Sequence, residues 1–252
     1  MRYFIELAYN GADFHGWQNQ PNAISVQEVV EKALTTLLGS PIAITGAGRT
    51  DAGVHAQQMF AHFDSSQVFS CTMLQYRLNA LLPPSVAILN IFEVAPHAHA
   101  RFHATSRTYL YRIALQKNPF NFDKAYLLKK ELDITAMETA AKVLLNYTDF
   151  QCFSKTHTDV KTYNCQIMKA QFNQVADELH FTIQADRFLR NMVRAIMGTL
   201  INVGLGKITA THLHTIITSK NRQQAGYSVP AHGLYLTHIS YPETIKNAHK
   251  TR

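Results

Sequence analysis

The stretch GAGRTDAGVHA (residues 46–56) carries an arginine and an aspartate two positions apart among three glycines. Short segments of alternating polarity flank it, PIAIT before and QQMFAHFDS after, and both are typical of strands. The stretch is therefore predicted to be a loop between two strands. Because glycine has no Cβ, another chain can approach the backbone of such a loop closely. Arg49 and Asp51 have no obvious packing role there.

Local features leave two interpretations of Arg49 and Asp51 open. In the first, the loop is an ordinary connection and the two side chains pair in solvent. In the second, Asp51 is a reactive carboxylate, which needs a nearby arginine to hold it ionised and a water-poor pocket to raise its reactivity. A phosphate-binding loop is set aside, because the stretch lacks the full dinucleotide fingerprint and the Lys-Ser/Thr pair of a P-loop.

Outward from the loop, the first hundred or so residues predict a unit that mixes strands and helices. The opening YFIELAYNG alternates in polarity and runs into an Asn-Gly turn, which indicates a strand. The segment SVQEVVEKALTTLLG begins with a capping box from Ser25 to Glu28 and stops at Gly39, so it is predicted to be a helix. A helix over 72–82 and a strand in SVAILNIFEVA complete the unit.

The second half of the chain repeats this mixture. SRTYLYRIAL predicts a strand, and CQIMKAQFNQVADELHFTIQAD predicts a hairpin. A capping box from Thr135 to Glu138 predicts the start of one helix, and a second helix is expected over about 187–203. The sequence therefore predicts an α+β fold of two subdomains, 1–105 and 106–252, with a cleft at their junction.

Composition narrows the class of partner. The chain has 252 residues, a net charge of +7 and a pI near 9.3, which favours an acidic partner. Nucleic acid, an anionic membrane surface and a phosphorylated metabolite all fit that charge. Three cysteines without paired spacing are typical of a reducing compartment. With no signal-peptide pattern and no apolar run of membrane-spanning length, we expect a soluble cytoplasmic protein.

Two further segments carry candidates for binding a nucleic acid. The expected helix in RFLRNMVRAIMGTLINV places Arg187, Arg190 and Arg194 opposite its apolar stripe, where they either contact phosphates or simply face solvent. The strand in SRTYLYRI places Arg107 and Arg112 around two tyrosines on one face, Tyr109 and Tyr111, which suits a flipped nucleobase and its phosphates. Tyrosines that alternate at every second residue of a strand are equally compatible with burial in the core.

The chain also has 13 histidines, several of them clustered in HAHARFH (97–103) and HLH (212–214). Neither cluster has the Cys/His pairing of a structural zinc site, and neither contains an HExxH motif. We therefore expect hydrogen-bonded or surface histidines and no metal site.

The chain resembles the TruA family of tRNA pseudouridine synthases in a series of motifs that occur in order. The motifs are YNGADFHGWQNQ, SVQEVVEKAL, GAGRTDAGVHA followed by AHFD, LNALLP, HARF, SRTYLYRI, MVRAIMGTL with VG, and AHGLYL. They run from about residue 3 to residue 241, and GRTDAGVHA alone is highly specific.

The resemblance implies the pseudouridine synthase fold. Two similar α+β subdomains lie around an extended antiparallel sheet, with helices on one side and a basic catalytic cleft in the centre. It also implies isomerisation of uridine to pseudouridine at positions 38, 39 and 40 of the tRNA anticodon stem-loop. The enzyme would be a homodimer that uses neither a metal nor an organic cofactor and has no membrane partner.

The same resemblance assigns roles to individual residues. Asp51 is the catalytic aspartate, acting as a nucleophile or as a base. Arg49 enters the RNA stack and helps to hold the target base out. Tyr109 stacks on the flipped uracil, Arg194 pairs with Asp51, and Leu234 lines the pocket.

The RNA backbone is expected to contact Arg107, Arg187 and Arg190. One segment departs from the family pattern here. Many bacterial members carry Phe-Arg-Ala after the middle aspartate and phenylalanine, whereas this chain reads DFQCFSKTHTDVKTYNCQI, with Lys155 and Lys161 as the nearby cations. The RNA footprint is the property that this departure affects, because the catalytic loop is unchanged.

Two other classes of function compete with the isomerase. One is a structured-RNA binder that keeps the scaffold without catalysis, and the intact set of Asp51, Arg49, Tyr109 and Arg194 argues against it. The other is a metal-dependent hydrolase built on the histidines, which sensitivity to a chelator would reveal.

Overall fold

The computed structural model describes residues 1–156 and 160–246. In these residues nine strands and six helices follow one another, which confirms the predicted mixed α+β composition. In chain order they are β1 (Arg2–Tyr9), α1 (Val26–Leu38), β2 (Thr45–Gly46), β3 (His55–Asp64), α2 (Cys71–Leu81), β4 (Val86–Val94), β5 (Ser106–Ala114), β6 (Tyr126–Leu127), α3 (Ile134–Val143), β7 (Ile167–Val175), β8 (Glu178–Ala185), α4 (Met192–Gly204), α5 (His212–Ser219), β9 (Leu234–Ser240) and α6 (Glu243–Lys246).

The chain divides into two compact units. The first contains Met1–Thr105 together with the segment that begins at Leu236, and the second contains Ser106–Tyr235. The predicted boundary at residue 105 assigns the end of the chain to the second subdomain. In the structure, residues 236–246 belong to the first unit instead. Residues 247–252 lie outside the described part.

Tyr241 shows why the end of the chain belongs to the first unit. Its hydroxyl donates a hydrogen bond to the carbonyl of Ala100 at 2.6 Å. Its ring lies edge-on to Phe4 and Phe60, with centroids 5.4 and 5.2 Å away. Phe4 is buried as fully as its neighbour Ile5, so both faces of β1 are covered. A pattern that alternates along one strand cannot indicate which distant segment covers the second face.

Strands β1 to β4 of the first unit pair antiparallel. β1 lies between β3 and β4, with Ile5 opposite both Ala61 and Ile91, and β9 lies next to β3. Helix α2 packs against β4 and α1. These contacts bury Leu74 and Leu78 of α2, and burial of an apolar face is the main stabilising contribution of an amphipathic helix.

Helix α1 forms as the sequence predicts. The Ser25 hydroxyl accepts a hydrogen bond from the backbone N–H of Glu28 at 3.1 Å, and Gly39 ends the helix in the left-handed region at φ +66°. The strand predicted in PIAIT is wrong except for Thr45. A side chain of α1 replaces the partner strand, because the Glu31 carboxylate accepts a hydrogen bond from the Ile44 N–H at 2.9 Å. The backbone N–H of Ile44 is therefore hydrogen-bonded without pairing to a neighbouring strand.

The second unit contains the antiparallel order β5, β8, β7, and the short β6 pairs parallel to β5. The hairpin of β7 and β8 is confirmed, and its turn places Ala176 at φ 49°. The predicted start of α3 is wrong, because the cap is Asp133 rather than Thr135. The Asp133 carboxylate accepts from the Ala136 N–H at 2.8 Å, so the helix begins one residue before the predicted cap.

Helix α4 is apolar nearly all round and lies in the core of the second unit. Its buried Thr199 is satisfied, since the hydroxyl donates to the carbonyl of Ala195 and accepts from the N–H of Gly226, both at 2.8 Å. A Cβ on Gly198 would lie 1.9 Å from the carbonyl oxygen of Tyr227. Only glycine therefore allows this loop to approach the helix so closely.

Candidate active site

The Asp51 loop lies between β2 and β3, and buried residues hold both of its ends. Ala47, 1% exposed, donates its N–H to the carbonyl of Phe60 at 2.7 Å, and Val54 is 2% exposed. Between these anchors Arg49 is exposed and Asp51 is half-buried. The loop therefore presents the arginine to solvent and keeps the carboxylate partly shielded.

The segment before α1 clamps this loop from the side. The N–H of Trp17 donates to the carbonyl of Thr50 at 3.2 Å, and the N–H of Gly53 donates to the carbonyl of Phe14 at 3.2 Å. The hydroxyls of Thr50 and Tyr9 share a buried hydrogen bond of 2.8 Å. The residues on both sides of Asp51 are thus fixed to a second part of the chain.

Glycines make this close contact possible. Gly16 has φ +94°, and a Cβ there would lie 2.4 Å from the carbonyl oxygen of Thr50. The buried indole of Trp17 lies against Gly46, and a Cβ on Gly46 would lie 2.4 Å from the indole Nε1 atom. In contrast, a Cβ on Gly48 meets nothing within 4 Å. Within the Asp51 loop, close packing therefore requires the glycine at 46 and not the one at 48.

The local sequence pattern of the loop does not predict these supporting residues. Tyr9, Gly16 and Trp17 all belong to the motif YNGADFHGWQNQ and its preceding strand. The only signal for them was the family resemblance, because nothing in the local pattern connects that motif to Thr50.

In the second unit, Tyr109 lies on β5 and is half-buried. Its ring meets that of Phe188 edge-to-face, with centroids 5.2 Å apart and planes at 89°. This geometry fixes the plane of the tyrosine ring. The next residue on the same face, Tyr111, is fully buried and donates its hydroxyl to the carbonyl of Pro230 at 2.8 Å. The two tyrosines therefore have different roles, with Tyr111 in the core.

Arg194 lies in the first turn of α4 and is half-buried. Its Nε–H donates to the carbonyl of Val229 at 2.7 Å, and the N–H of Val229 donates back to the Arg194 carbonyl at 3.3 Å. These bonds tie the helix to the segment that leads to Leu234, whose side chain is only 5% exposed. The hydrogen bonds between Arg194 and Val229 thus hold Arg194 next to the segment that leads to Leu234.

The prediction that three arginines share one face of a helix is wrong. Helix α4 begins at Met192, so Arg187 and Arg190 precede it in a loop. Asn191, at φ +66°, interrupts the helical path, and its amide donates to the Ser228 hydroxyl at 2.5 Å. Helical spacing in the sequence cannot show this left-handed residue.

These preceding arginines and Arg107 have partners within the second unit. Arg187 donates through Nη1 to the carbonyl of Thr162 at 3.3 Å. Arg107 donates through Nη1 to the carbonyl of Asp186 at 2.8 Å. The N–H of Lys155 donates to the carbonyl of Arg190 at 3.1 Å. Part of the divergent stretch, residues 157–159, lies outside the described residues.

Several histidines of the described chain are held by hydrogen bonds. The Nδ1 atom of His55, a buried residue, accepts from the Gly11 N–H at 3.0 Å. His214 shares a hydrogen bond of 2.7 Å with the hydroxyl of Tyr147. Within residues 1–156 and 160–246 no group of three or more His, Cys, Asp or Glu side chains has the arrangement of a metal site.

No helix in the described part of the chain is both long enough and apolar enough to span a membrane.

Comparison with known proteins identifies the family. A family model described as tRNA pseudouridine synthase matches residues 140–242. The chain is 53% identical over 245 residues to the tRNA pseudouridine synthase A of Parabacteroides distasonis, covering 97% of each protein. It is 51% identical over 247 residues to that of Bacteroides fragilis and 34% identical over 247 residues to that of Exiguobacterium sibiricum, covering 97% of this chain and 98% of each relative. With such identity over nearly its whole length, the chain belongs to the tRNA pseudouridine synthase A family.

Proposed function

We propose that this chain isomerises uridine to pseudouridine in tRNA, at positions 38, 39 and 40 of the anticodon stem-loop. The observation that carries the proposal is the similarity, over 97% of the chain, to proteins named tRNA pseudouridine synthase A. The clamped loop that holds Asp51 supports it, because the reaction needs one well-positioned carboxylate.

The reaction breaks the bond between N1 of uracil and C1′ of the ribose, turns the base and joins C5 to C1′. The hydrogen at C5 is then lost as a proton. Asp51 either attacks C1′ as a nucleophile or takes a proton from C2′, and both routes need a carboxylate in about the same place. Its partial burial limits the access of water to the activated sugar. Because the loop is anchored on both sides of Asp51, the carboxylate is positioned before the RNA binds.

Arg49 is the residue of the same loop that we propose enters the RNA stack. Flipping a uridine out costs a few kcal/mol of stacking and pairing. An exposed guanidinium two residues from the carboxylate occupies the gap that the base leaves, and it also attracts the phosphates. The loop thus combines a group that displaces the base with a group that reacts with its sugar.

In the second unit we propose three roles that the family resemblance assigns. Tyr109 stacks on the flipped uracil, and its fixed ring plane lowers the entropy cost of that contact. Arg194 holds the reacting carboxylate ionised, while its bond to Val229 orients the guanidinium. Leu234 provides an apolar contact for the base. Arg107, Arg187 and Arg190 are proposed to contact phosphates.

The proposal includes a homodimer that acts in the cytoplasm on tRNA, without a metal or an organic cofactor. The mass of the protein in solution, measured with and without tRNA, tests the homodimer. A monomeric mass under assay conditions would contradict it.

The isomerase itself is tested by tritium release. A tRNA labelled with tritium at C5 of its uridines is incubated with the protein in EDTA, because forming the C5–C1′ bond must expel that label. The matched control is the same tRNA with cytidine at positions 38 to 40. We expect release from the first RNA and none above background from the second. Equal release from both would place the reaction elsewhere in the tRNA, and no release from either would refute the isomerase.

A further inference from the structure

The loop His97–His103, which follows β4 in the first unit, presents an aromatic ring to solvent. Phe102 is 73% exposed, although a ring of this size is usually buried. The imidazole of His99 lies against it, with ring centroids 4.2 Å apart and planes at 32°. The guanidinium of Arg101 lies 5.8 Å from the centroid of the same ring. The ring is therefore contacted by two neighbours of its own loop and is still largely open to solvent.

Histidines determine the shape of this loop. Four successive backbone N–H groups, those of residues 99–102, donate to histidine Nδ1 atoms. The bonds run from His99 to His103 at 2.9 Å, from Ala100 to His62 at 3.2 Å, and from Arg101 and Phe102 to His99 at 3.1 and 3.4 Å. Because these Nδ1 atoms accept from the backbone, the cluster is a loop-shaping device rather than a set of metal ligands.

The acceptor role requires an unprotonated Nδ1. Burial lowers the pKa of His62 to about 4, with further contributions from His99 and Arg2. Burial and the charge of Arg2 also lower the pKa of His99. Both imidazoles are therefore neutral at physiological pH, and the loop is formed before any ligand binds.

Such a preformed aromatic surface beside a cation suits a nucleotide. A nucleobase offers a flat face to an aromatic ring, and its phosphate offers a partner for a guanidinium. We infer that the loop His97–His103 is an additional RNA contact, at which Phe102 stacks on an unpaired nucleobase of the substrate and Arg101 contacts an adjacent phosphate. The inference rests on the proposed function only in that the substrate is an RNA.

Charge favours RNA over a protein partner at this loop. Residues 95–105 contain an arginine and three histidines and no acidic side chain, and the whole chain has a net charge of +7. A second copy of the chain would bring the same positive surface to a symmetric interface, which is unfavourable. RNA brings the opposite charge together with the flat bases.

The test compares two Arg–aromatic pairs of similar exposure. Phe102→Leu removes the aromatic face and keeps an apolar side chain, and Phe102→Tyr restores the aromatic face. The matched control is Tyr76→Leu, since Tyr76 is 72% exposed on α2 and is followed by Arg77. The dissociation constant for tRNA is measured by filter binding at several salt concentrations, and thermal unfolding checks that each variant is folded.

We expect Phe102→Leu to bind tRNA roughly tenfold more weakly, with an unchanged salt slope, because stacking releases no counterions. Arg101→Gln should reduce the salt slope by about one. Phe102→Tyr should bind like the parent protein, and so should Tyr76→Leu.

A fluorescence experiment reports the stacking directly. The chain has one tryptophan, Trp17, which is 3% exposed, so an indole introduced by Phe102→Trp gives a separate exposed signal. We expect tRNA to quench that signal, and to quench the signal of Tyr76→Trp much less. Equal quenching of the two variants would overturn the inference.

The outcomes separate this inference from the proposed function. Tritium release by the parent protein, combined with unchanged tRNA binding by Phe102→Leu, would refute the stacking contact and leave the isomerase intact. Phe102-dependent binding without tritium release would support the contact and refute the isomerase. If Phe102→Leu kept its affinity for tRNA but changed the mass of the protein in solution, the loop would be a protein interface and the inference would be wrong.

Discussion

Replacing Gly16 by alanine tests whether the segment before α1 holds the Asp51 loop in place. Gly16 has φ +94°, and a Cβ there would lie 2.4 Å from the carbonyl oxygen of Thr50. That oxygen also accepts the hydrogen bond from the Trp17 N–H at 3.2 Å. A methyl group therefore cannot be added unless the backbone of one of the two segments moves.

Two costs of this substitution add. An L-residue at positive φ costs about 1 to 2 kcal/mol relative to glycine. Forcing a methyl group against a packed backbone costs about 1 to 3 kcal/mol more. We therefore expect Gly16→Ala to lower the free energy of unfolding by about 2 to 5 kcal/mol. A shift of about 1 Å at Asp51 would further lower turnover by about 10²-fold.

The matched control is Gly39→Ala, at the end of α1. Gly39 also has a positive φ, +66°, but a Cβ there meets nothing within 4 Å. This variant should show the backbone cost alone, about 1 to 2 kcal/mol, with normal turnover. The assays are urea unfolding and tritium release from labelled tRNA at saturating concentration. If Gly16→Ala were as stable as Gly39→Ala and released tritium at the parent's rate, the clamp would have no role in positioning Asp51.

Three further predictions concern pH and the second unit. Burial lowers the pKa of His62 from 6.5 to about 4, so the contribution of the neutral imidazole to stability is intact above pH 6.5. The free energy of unfolding should fall as the pH drops from 6.5 toward 4, by at most about 1.4 kcal/mol per pH unit. In urea unfolding, His62→Asn should lack this dependence on pH. Burial of Glu178 opposes ionisation, but hydrogen bonds from Arg112 and a neighbouring histidine outweigh it and lower its pKa below 4.5. Glu178 should therefore stabilise the fold above that pH and lose its contribution below it, and Glu178→Gln should remove this acid sensitivity. Arg194→Lys keeps the charge but loses the Nε–H bond to Val229, so tritium release should slow by roughly tenfold with little change in the dissociation constant for tRNA.

The sequence predicts the parts of this structure whose causes are local. The capping residue Ser25 and the terminating Gly39 specify α1, and alternating polarity specifies the hairpin of β7 and β8. The loop that carries Asp51 is predicted in the same way, from its glycines and from the strand-like segments on either side. The start of α4 was missed because a single left-handed residue, Asn191, interrupts a pattern that is otherwise helical.

Contacts between distant segments explain the remaining differences. Tyr241 places the end of the chain in the first unit through a hydrogen bond and two ring contacts with residues far away in sequence. Gly16 and Trp17 hold the Asp51 loop through backbone atoms, which no side-chain pattern reveals. The sequence predicts hydrogen-bonded or surface histidines around Phe102, but it does not show that their Nδ1 atoms accept from the backbone N–H groups of residues 99–102.

The central claim is that the carboxylate of Asp51 carries out the reaction. Its most direct test is tritium release by Asp51→Asn at saturating labelled tRNA, with the dissociation constant for the same tRNA measured alongside. Asparagine has nearly the same shape but is neither a nucleophile nor a base near neutral pH. Our account predicts that release falls to background while tRNA binding stays close to that of the parent protein. Release near the parent's rate, with the same affinity for tRNA, would contradict it.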